Sequence, residues 1–218
     1  GPGAVSMIWL NSPSNPTGKV LPVEHMAKVV AFARERGAIV ASDECYLSLS
    51  DGAPSILSPQ VCGGSHEGLL AVHSMSKTSN MAGYRAGFVT GDPKIVAALL
   101  EVRKHAGMIV PRPVQAAMTA AANDDEHVAA QVATYARRRE TLRAAVEKAG
   151  LRVDHSTAGL YLWATADEPC RKTVDRFAEL GILVAPGEFY GPAGARHVRI
   201  ALTASDERIA AAAERLAG

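Results

Sequence analysis

Three short apolar runs, each broken off by a polar cluster, constrain this chain most. Met7-Ile8-Trp9-Leu10 runs into Asn11-Ser12-Pro13-Ser14-Asn15-Pro16-Thr17-Gly18. Ala38-Ile39-Val40-Ala41 runs into Ser42-Asp43-Glu44-Cys45-Tyr46, and Leu69-Leu70-Ala71-Val72 precedes Ser74-Met75-Ser76-Lys77-Thr78. Uninterrupted runs of this kind read as strands covered on both faces, as in parallel sheets. An open parallel sheet binds its ligand beyond the carboxyl ends of its strands. Asn15, Asp43 and Lys77 are therefore expected along one rim of one sheet. Each cluster alone would pass as turn chemistry, because Asn, Asp, Ser, Pro and Gly are what loops use. Three in succession, each closing a buried strand, favour a site.

The segments between the runs complete an α/β pattern. Residues 22–36 read as a helix, with Pro22 at the first helical position, Met26, Val29, Val30 and Ala33 on one stripe, and Gly37 at the stop. Strand, helix, strand, loop, strand is α/β order. A further strand is expected over 86–90, then helices over 94–104 and 114–122. A longer helix over 125–148 keeps Val128, Val132, Tyr135, Leu142 and Val146 on one side. It carries Arg137-Arg138-Arg139, read as a solvated face because Glu140 and Glu147 interleave. Strands over 151–153, 160–164, 182–185 and 197–202, with helices over 172–180 and 206–216, form a separate α+β unit. The expected domains are 1–123, a connecting helix 124–150, and a small domain 151–218.

Composition excludes several classes of function. The 218 residues carry a net charge of +1 and are 48% hydrophobic, a soluble globular balance. Near-neutral charge gives no electrostatic case for nucleic acid or an anionic membrane. No apolar stretch is long enough to span a bilayer, and no basic-then-apolar signal opens the chain. Cys45, Cys62 and Cys170 are odd in number and widely spaced, which fits a reducing, cytoplasmic setting without disulfides or a structural zinc. The histidines show no metal-ligand spacing.

The third cluster carries the most specific chemistry. Lys77 lies between hydroxyls, and Gly83-Tyr84-Arg85-Ala86-Gly87 follows it. A lysine amine held neutral forms Schiff bases, the chemistry of pyridoxal phosphate enzymes, and an arginine nearby suits a phosphate through its planar fork of donors.

The ordered set Asn15-Pro16-Thr17-Gly18, Asp43-Glu44-Cys45-Tyr46 and Ser74-Met75-Ser76-Lys77 with Arg85 resembles the class I/II pyridoxal-phosphate aminotransferases of fold type I. Pro186-Gly187-Glu188-Phe189-Tyr190-Gly191 before His197-Val198-Arg199-Ile200-Ala201-Leu202 is similar to that family's substrate-carboxylate motif, and Gly159-Leu160-Tyr161-Leu162-Trp163 to the strand before it. The resemblance implies a partial large cofactor-binding domain, mostly parallel sheet with helices, and a C-terminal α+β small domain. It implies pyridoxal 5'-phosphate as cofactor, with Lys77 as the Schiff-base lysine and proton carrier. Asp43 would partner the ring nitrogen, Tyr46 and Asn15 the ring oxygen, and Ser74, Ser76 and Arg85 the phosphate. Asn15 and Arg199 would bind the substrate, Arg199 through its α-carboxylate. Amino-acid and 2-oxo-acid substrates and a homodimer follow from the same resemblance.

Within the family, Ser12 to Gly18 resembles the succinyldiaminopimelate aminotransferases of lysine biosynthesis, implying N-succinyl-LL-2,6-diaminopimelate with 2-oxoglutarate. In that family a substantial portion precedes the Asn15 motif. The chain is accordingly expected to be a truncated C-terminal part that holds the cofactor poorly and is inactive alone. A carbon–sulfur lyase using the same residues, and an effector domain behind a DNA-binding segment, remain alternatives.

Overall fold

The computed structural model describes residues 5–218. Gly1-Pro2-Gly3, which the sequence leaves open between tag and native loop, lies outside them. By internal contacts the chain divides into two units, one of residues up to Pro13 and Val20–Val128, the other of Ser14–Lys19 and Ala129–Gly218. The sequence-based limits at 123 and 150 lie on either side of that division.

The first unit is built on a four-stranded sheet in the order β1 (Met7–Asn11), β2 (Ile39–Asp43), β3 (Leu69–Ser74), β4 (Gly87–Gly91). The first three strands are parallel and β4 is antiparallel to β3. Helix α1 (Val23–Glu35) buries Met26, Val30 and Ala33 against Val40, Leu69 and Ala71. Fully burying each of the larger apolar chains stabilises by about 1.5–3 kcal/mol. Pro22 is the N-cap of α1, not its first helical residue, because its carbonyl already accepts from His25 and Met26.

The expectation of strands covered on both faces holds for β2, whose three central residues are buried, and fails for β1. Met7 and Trp9 are 48% and 59% exposed, while Ile8 and Leu10 turn toward the α1 core. Strand β1 ends the sheet, and among the described residues only its α1 face is covered. Strand β4 likewise leaves Phe88 and Val89 exposed. Three further helices follow the strands or link them, the one-turn α2 (Pro59–Cys62) and α3 (Met75–Thr78) and the longer α4 (Pro93–His105). Asp92 caps α4 through Lys94 N–H and accepts from Gly68 N–H, which ties the start of β3 to the end of β4. Helix α5 (Arg112–Ala122) packs Val114, Ala117, Met118 and Ala121 on Met75, Met81 and Ala86.

Helix α6 (Asp125–Lys148) begins in the first unit and continues in the second. The second unit holds an antiparallel sheet in the order β5 (Arg152–Asp154), β6 (Tyr161–Thr165), β8 (Val198–Ala201), β7 (Ala185–Pro186). Helices α7 (Cys170–Glu179) and α8 (Asp206–Ala217) complete it. Its core gathers Leu142, Val146, Leu162, Phe177, Val198 and Leu202. The strand expected over 182–185 shrinks to β7. Ile182 N–H instead closes the end of α7 on Phe177 O, Leu183 is 95% exposed, and Pro186 has no N–H to extend a ladder.

The solvated-face reading of the arginine run is corrected for two of its three members. Arg138 reaches Asp206 at 2.5 Å and Leu202 O at 3.2 Å, and Arg139 donates to Gly159 O at 2.5 Å. Only Arg137 stays largely in solvent. Both inward arginines brace α6 against loops beside the sheet.

Candidate functional site

Asp43 closes β2 and pairs in register with Val72 of β3. The next backbone group, Glu44 N–H, bonds Val72 O at 2.9 Å. The carboxyl ends of β2 and β3 therefore lie side by side. Beyond Ser74 the chain turns at once into α3, so Lys77 stands on a one-turn helix and not at the strand end itself. Ser74 Oγ caps that turn by accepting from Ser76 N–H at 3.2 Å. Met75 anchors it in the small α5 cluster, and Ser79, just past it, is hydrogen-bonded to His127 Nε2 at 3.0 Å. This leaves Lys77 exposed above a fixed base.

Arg85 follows from a strained loop. Asn80 and Arg85 both sit at φ 53°, the left-handed region that non-glycine residues seldom adopt. The Arg85 guanidinium bonds back to Ala82 O at 3.0 Å and is exposed. Gly87, opposite Ser74, could not carry a side chain, since a Cβ there would come within 2.6 Å of His73 O. Ser74, Ser76, Lys77 and Arg85 thus flank one turn at one end of the sheet.

The electrostatics connect this turn to Asp43. Cys45 N–H donates to Asp43 Oδ1 at 3.1 Å. Burial pushes the Cys45 thiol up to about 12, the hydrogen bond and charge of Asp43 add to it, and the positive charge of Lys77 opposes. One thiol therefore feels both Asp43 and Lys77, the two groups the sequence places on one rim. Tyr46 is buried at the start of a single 3₁₀ turn, Leu47–Leu49. A carboxylate, an amine, a phenol, two hydroxyls and a guanidinium form a donor and acceptor set that fits pyridoxal phosphate.

Two groups beside this set escape the sequence reading. The Glu44 side chain is fully buried, with Oε1 accepting from Ile56 N–H at 2.7 Å and Oε2 3.9 Å from His73 Nε2. His73 stacks on Phe88 with centroids 4.8 Å apart. Burial lowers its pKa, against the opposing pull of Glu44 and Asp43. Alternation along β2 was the available signal: Glu44 follows a strand-end aspartate and must face the other way. From His73 and Arg85 an apolar groove of about 580 Å³ runs along Phe88 to Leu100 and Met108.

Asn15 and Arg199 belong to the second unit. The turn Ser14–Lys19 is fastened there by Ser156 N–H to Thr17 O at 2.9 Å and by Thr157 and Ala158 N–H to Gly18 O, both at 3.1 Å. Gly18, at φ +63°, approaches so closely that a Cβ would lie 2.7 Å from Ala158 O. That contact sets Asn15 Oδ1 at 2.8 Å from Arg199 Nη1. The Arg199 guanidinium lies 3.9 Å from the Tyr161 ring centroid and 5.0 Å from that of Tyr190. The sequence singles out Arg199 but not its aromatic neighbours, which only the folded sheet brings to it.

The family model for class I and II aminotransferases matches residues 2–216. The chain is 63% identical over 99% of its length to a probable aminotransferase of Mycobacterium tuberculosis, covering 52% of that protein. It is 61% identical over 99% of its length to the 4-dedimethylamino-4-oxo-anhydrotetracycline transaminase OxyQ of Streptomyces rimosus, covering 61% of it. The crystal structure of an aminotransferase from Neisseria meningitidis superposes on 97% of the chain with a TM-score of 0.88 at 32% identity, over 56% of that chain. The chain thus spans between half and two thirds of the length of these relatives.

Proposed function

The chain belongs to the class I and II aminotransferases, and we propose that it serves the exchange of an amino group between an amino acid and a 2-oxo acid. The observation that carries this reading is the register of Asp43 on Val72 with α3 following directly on β3, which supports an acid and an amine at one end of one sheet. Pyridoxal phosphate, the cofactor of this family, supplies an electron sink when bound. Asp43 would hold a proton at its ring nitrogen, and Tyr46 and Asn15 would donate to its ring oxygen. Ser74, Ser76 and Arg85 would hold its phosphate. The Lys77 amine would carry the cofactor and then move the proton at the substrate α-carbon. Arg199 would receive the substrate carboxylate.

The finer pair we propose is N-succinyl-LL-2,6-diaminopimelate with 2-oxoglutarate, from the resemblance of Ser12 to Gly18. The 61% identity to the Streptomyces rimosus relative favours a second reading, in which the acceptor is an oxo compound of the kind in that relative's name. A homodimer and a cytoplasmic setting go with either reading. No described helix is long and apolar enough to cross a membrane.

Reduction with borohydride in excess pyridoxal phosphate, which offsets the weak retention expected of this chain, followed by peptide mapping, tests the reading. The label is expected on Lys77 ahead of Lys94 and Lys104, which are also exposed. Labelling spread evenly over the lysines overturns it. In a chain extended to the full length of its relatives, turnover that needs a 2-oxo acid separates amino transfer from lyase chemistry, which would release ammonia and pyruvate. Mass spectrometry of products from each candidate acceptor separates the two substrate readings.

A further inference from the structure

Arg199 is held by rings as much as by hydrogen bonds. Its guanidinium carbon lies 3.9 Å from the Tyr161 centroid and 5.0 Å from the Tyr190 centroid. Nε is enclosed and has no hydrogen-bond partner among the described residues, and one Nη1 hydrogen goes to Asn15 Oδ1 at 2.8 Å. What remains for a ligand is the far end of the fork, the second Nη1 hydrogen and those of Nη2. A carboxylate can take both in parallel, a bidentate pair that tolerates little error in the plane of the guanidinium.

The rings are themselves fixed. Tyr161 lies in β6, fully inside the sheet, and is 8% exposed. Tyr190 sits on the turn that follows Gly187 and meets Trp163 edge-on at 6.0 Å and 81°. Trp163 is stacked flat on His197 at 4.9 Å and 4°, and His197 Nε2 is 2.9 Å from Asp154 Oδ2. Gly187 and Gly194 let that turn close on Trp163, since a Cβ at either would come within 2.8 and 3.2 Å of its Cη2. A column from Asp154 through His197, Trp163 and Tyr190 thereby ends on Arg199.

We propose that Tyr161 and Tyr190 are positioning residues of the carboxylate site: they hold the Arg199 guanidinium in one plane, so that a ligand carboxylate is taken end-on by Nη1 and Nη2. The inference rests on the carboxylate reading of Arg199 given above and adds the residues that aim it. Cation–π contact, over the buried Tyr161 ring and the partly exposed Tyr190 ring, is the force involved, and it needs the ring, not the hydroxyl.

The test is nuclear magnetic resonance on the 218-residue chain labelled at arginine, with pyruvate as the carboxylate probe. In the unsubstituted protein the Arg199 Nε–H signal is expected upfield, shielded by the Tyr161 ring, and pyruvate is expected to shift the Nη signals saturably. Tyr190→Phe is expected to bind pyruvate as the unsubstituted chain does. Tyr190→Leu, at a residue 37% exposed, is expected to keep the folding midpoint. It should weaken pyruvate about fivefold and broaden the Arg199 signals. Tight pyruvate binding by Tyr190→Leu, or an unshielded Arg199 Nε–H in the unsubstituted chain, overturns the positioning role. Failure of pyruvate to perturb Arg199 at all overturns the carboxylate reading beneath it, and the two failures are told apart by the unsubstituted chain alone.

Discussion

Strand β6 buries all five of its residues and β4 buries none, although each belongs to a four-stranded sheet. In the second unit Phe177, Leu162 and Val198 are wholly enclosed, and α7, α8 and the end of α6 contribute to one core. In the first unit α4 and α5 have no buried residue, and Leu100, Val102 and Ile109 stand 61–65% exposed. The proposed roles divide the same way. The group that would aim at a carboxylate lies against two rings in the closed unit. The groups that would do covalent and proton chemistry stand on a short turn in the open one. Precision of a binding group comes from the packing behind it, whereas a lysine that must move a proton needs freedom at its tip.

The contrast predicts very unequal responses to the same substitution. Phe177→Ala removes a fully buried ring and should cost about 3–5 kcal/mol, read from the urea midpoint followed by Trp163 fluorescence. Phe88→Ala removes a ring that is 42% exposed and stacked on His73, and should cost below about 1 kcal/mol. Equal losses would break the comparison. Gly187→Ala tests the closed unit at its tightest point, where a Cβ would meet Trp163, His197 O and Gly194 O. Overpacking there should cost about 1–3 kcal/mol and disturb the Trp163 emission, whereas Gly83→Ala, with open space around it, should be silent.

Legibility followed the same divide. The order of strands and helices, the long helix α6 and the glycine stops were readable, because local periodicity and turn chemistry do not depend on distant parts of the chain. Asp43 and Lys77 could be set on one rim because parallel strands align their ends. The exposure of Trp9 and Phe88 was not readable, because an apolar run says what a strand can bury and not whether anything covers it. Arg138 and Arg139 misled for the converse reason: alternation with glutamates suggests solvent, while their partners Asp206, Leu202 and Gly159 are remote in sequence. Tyr190 as a neighbour of Arg199 required the register of β7 on β8 and the turn around Trp163. No single-sequence pattern encodes that pairing.

A smaller effect is expected at the base of the aromatic column. Arg152, and less strongly His197, hold the Asp154 carboxyl down at about 2, against an ordinary 3.8. A depressed folded-state pKa stabilises the fold above the unfolded value and loses that contribution as pH falls through the folded one. The stability gap between the unsubstituted chain and Asp154→Asn should therefore be constant above about pH 4 and close between pH 4 and pH 2. Solvent screening keeps it to at most about 1 kcal/mol. Urea titrations at pH 6, 4 and 2 check this, and a gap that widens on acidification would reverse the assignment.

The finest test lies in the open unit, at Cys45. Its thiol is raised to about 12 from 9.0, first by burial and only then by Asp43. At pH 8 its alkylation by iodoacetamide should be slower than that of a free cysteine by about the lost thiolate fraction, some hundredfold or more. Because burial leads, Asp43→Asn should recover only about two- to fivefold of that rate. Lys77→Met should act in the opposite sense and slow it slightly further, since the lysine charge favours the thiolate, though less than a backbone hydrogen bond does. The rates are read by mass spectrometry of the Cys45 peptide. Recovery to the free-cysteine rate in Asp43→Asn would mean that charge, not enclosure, sets this thiol. Indifference to Lys77→Met would separate the amine from the acid, and with it the rim on which the proposed chemistry depends.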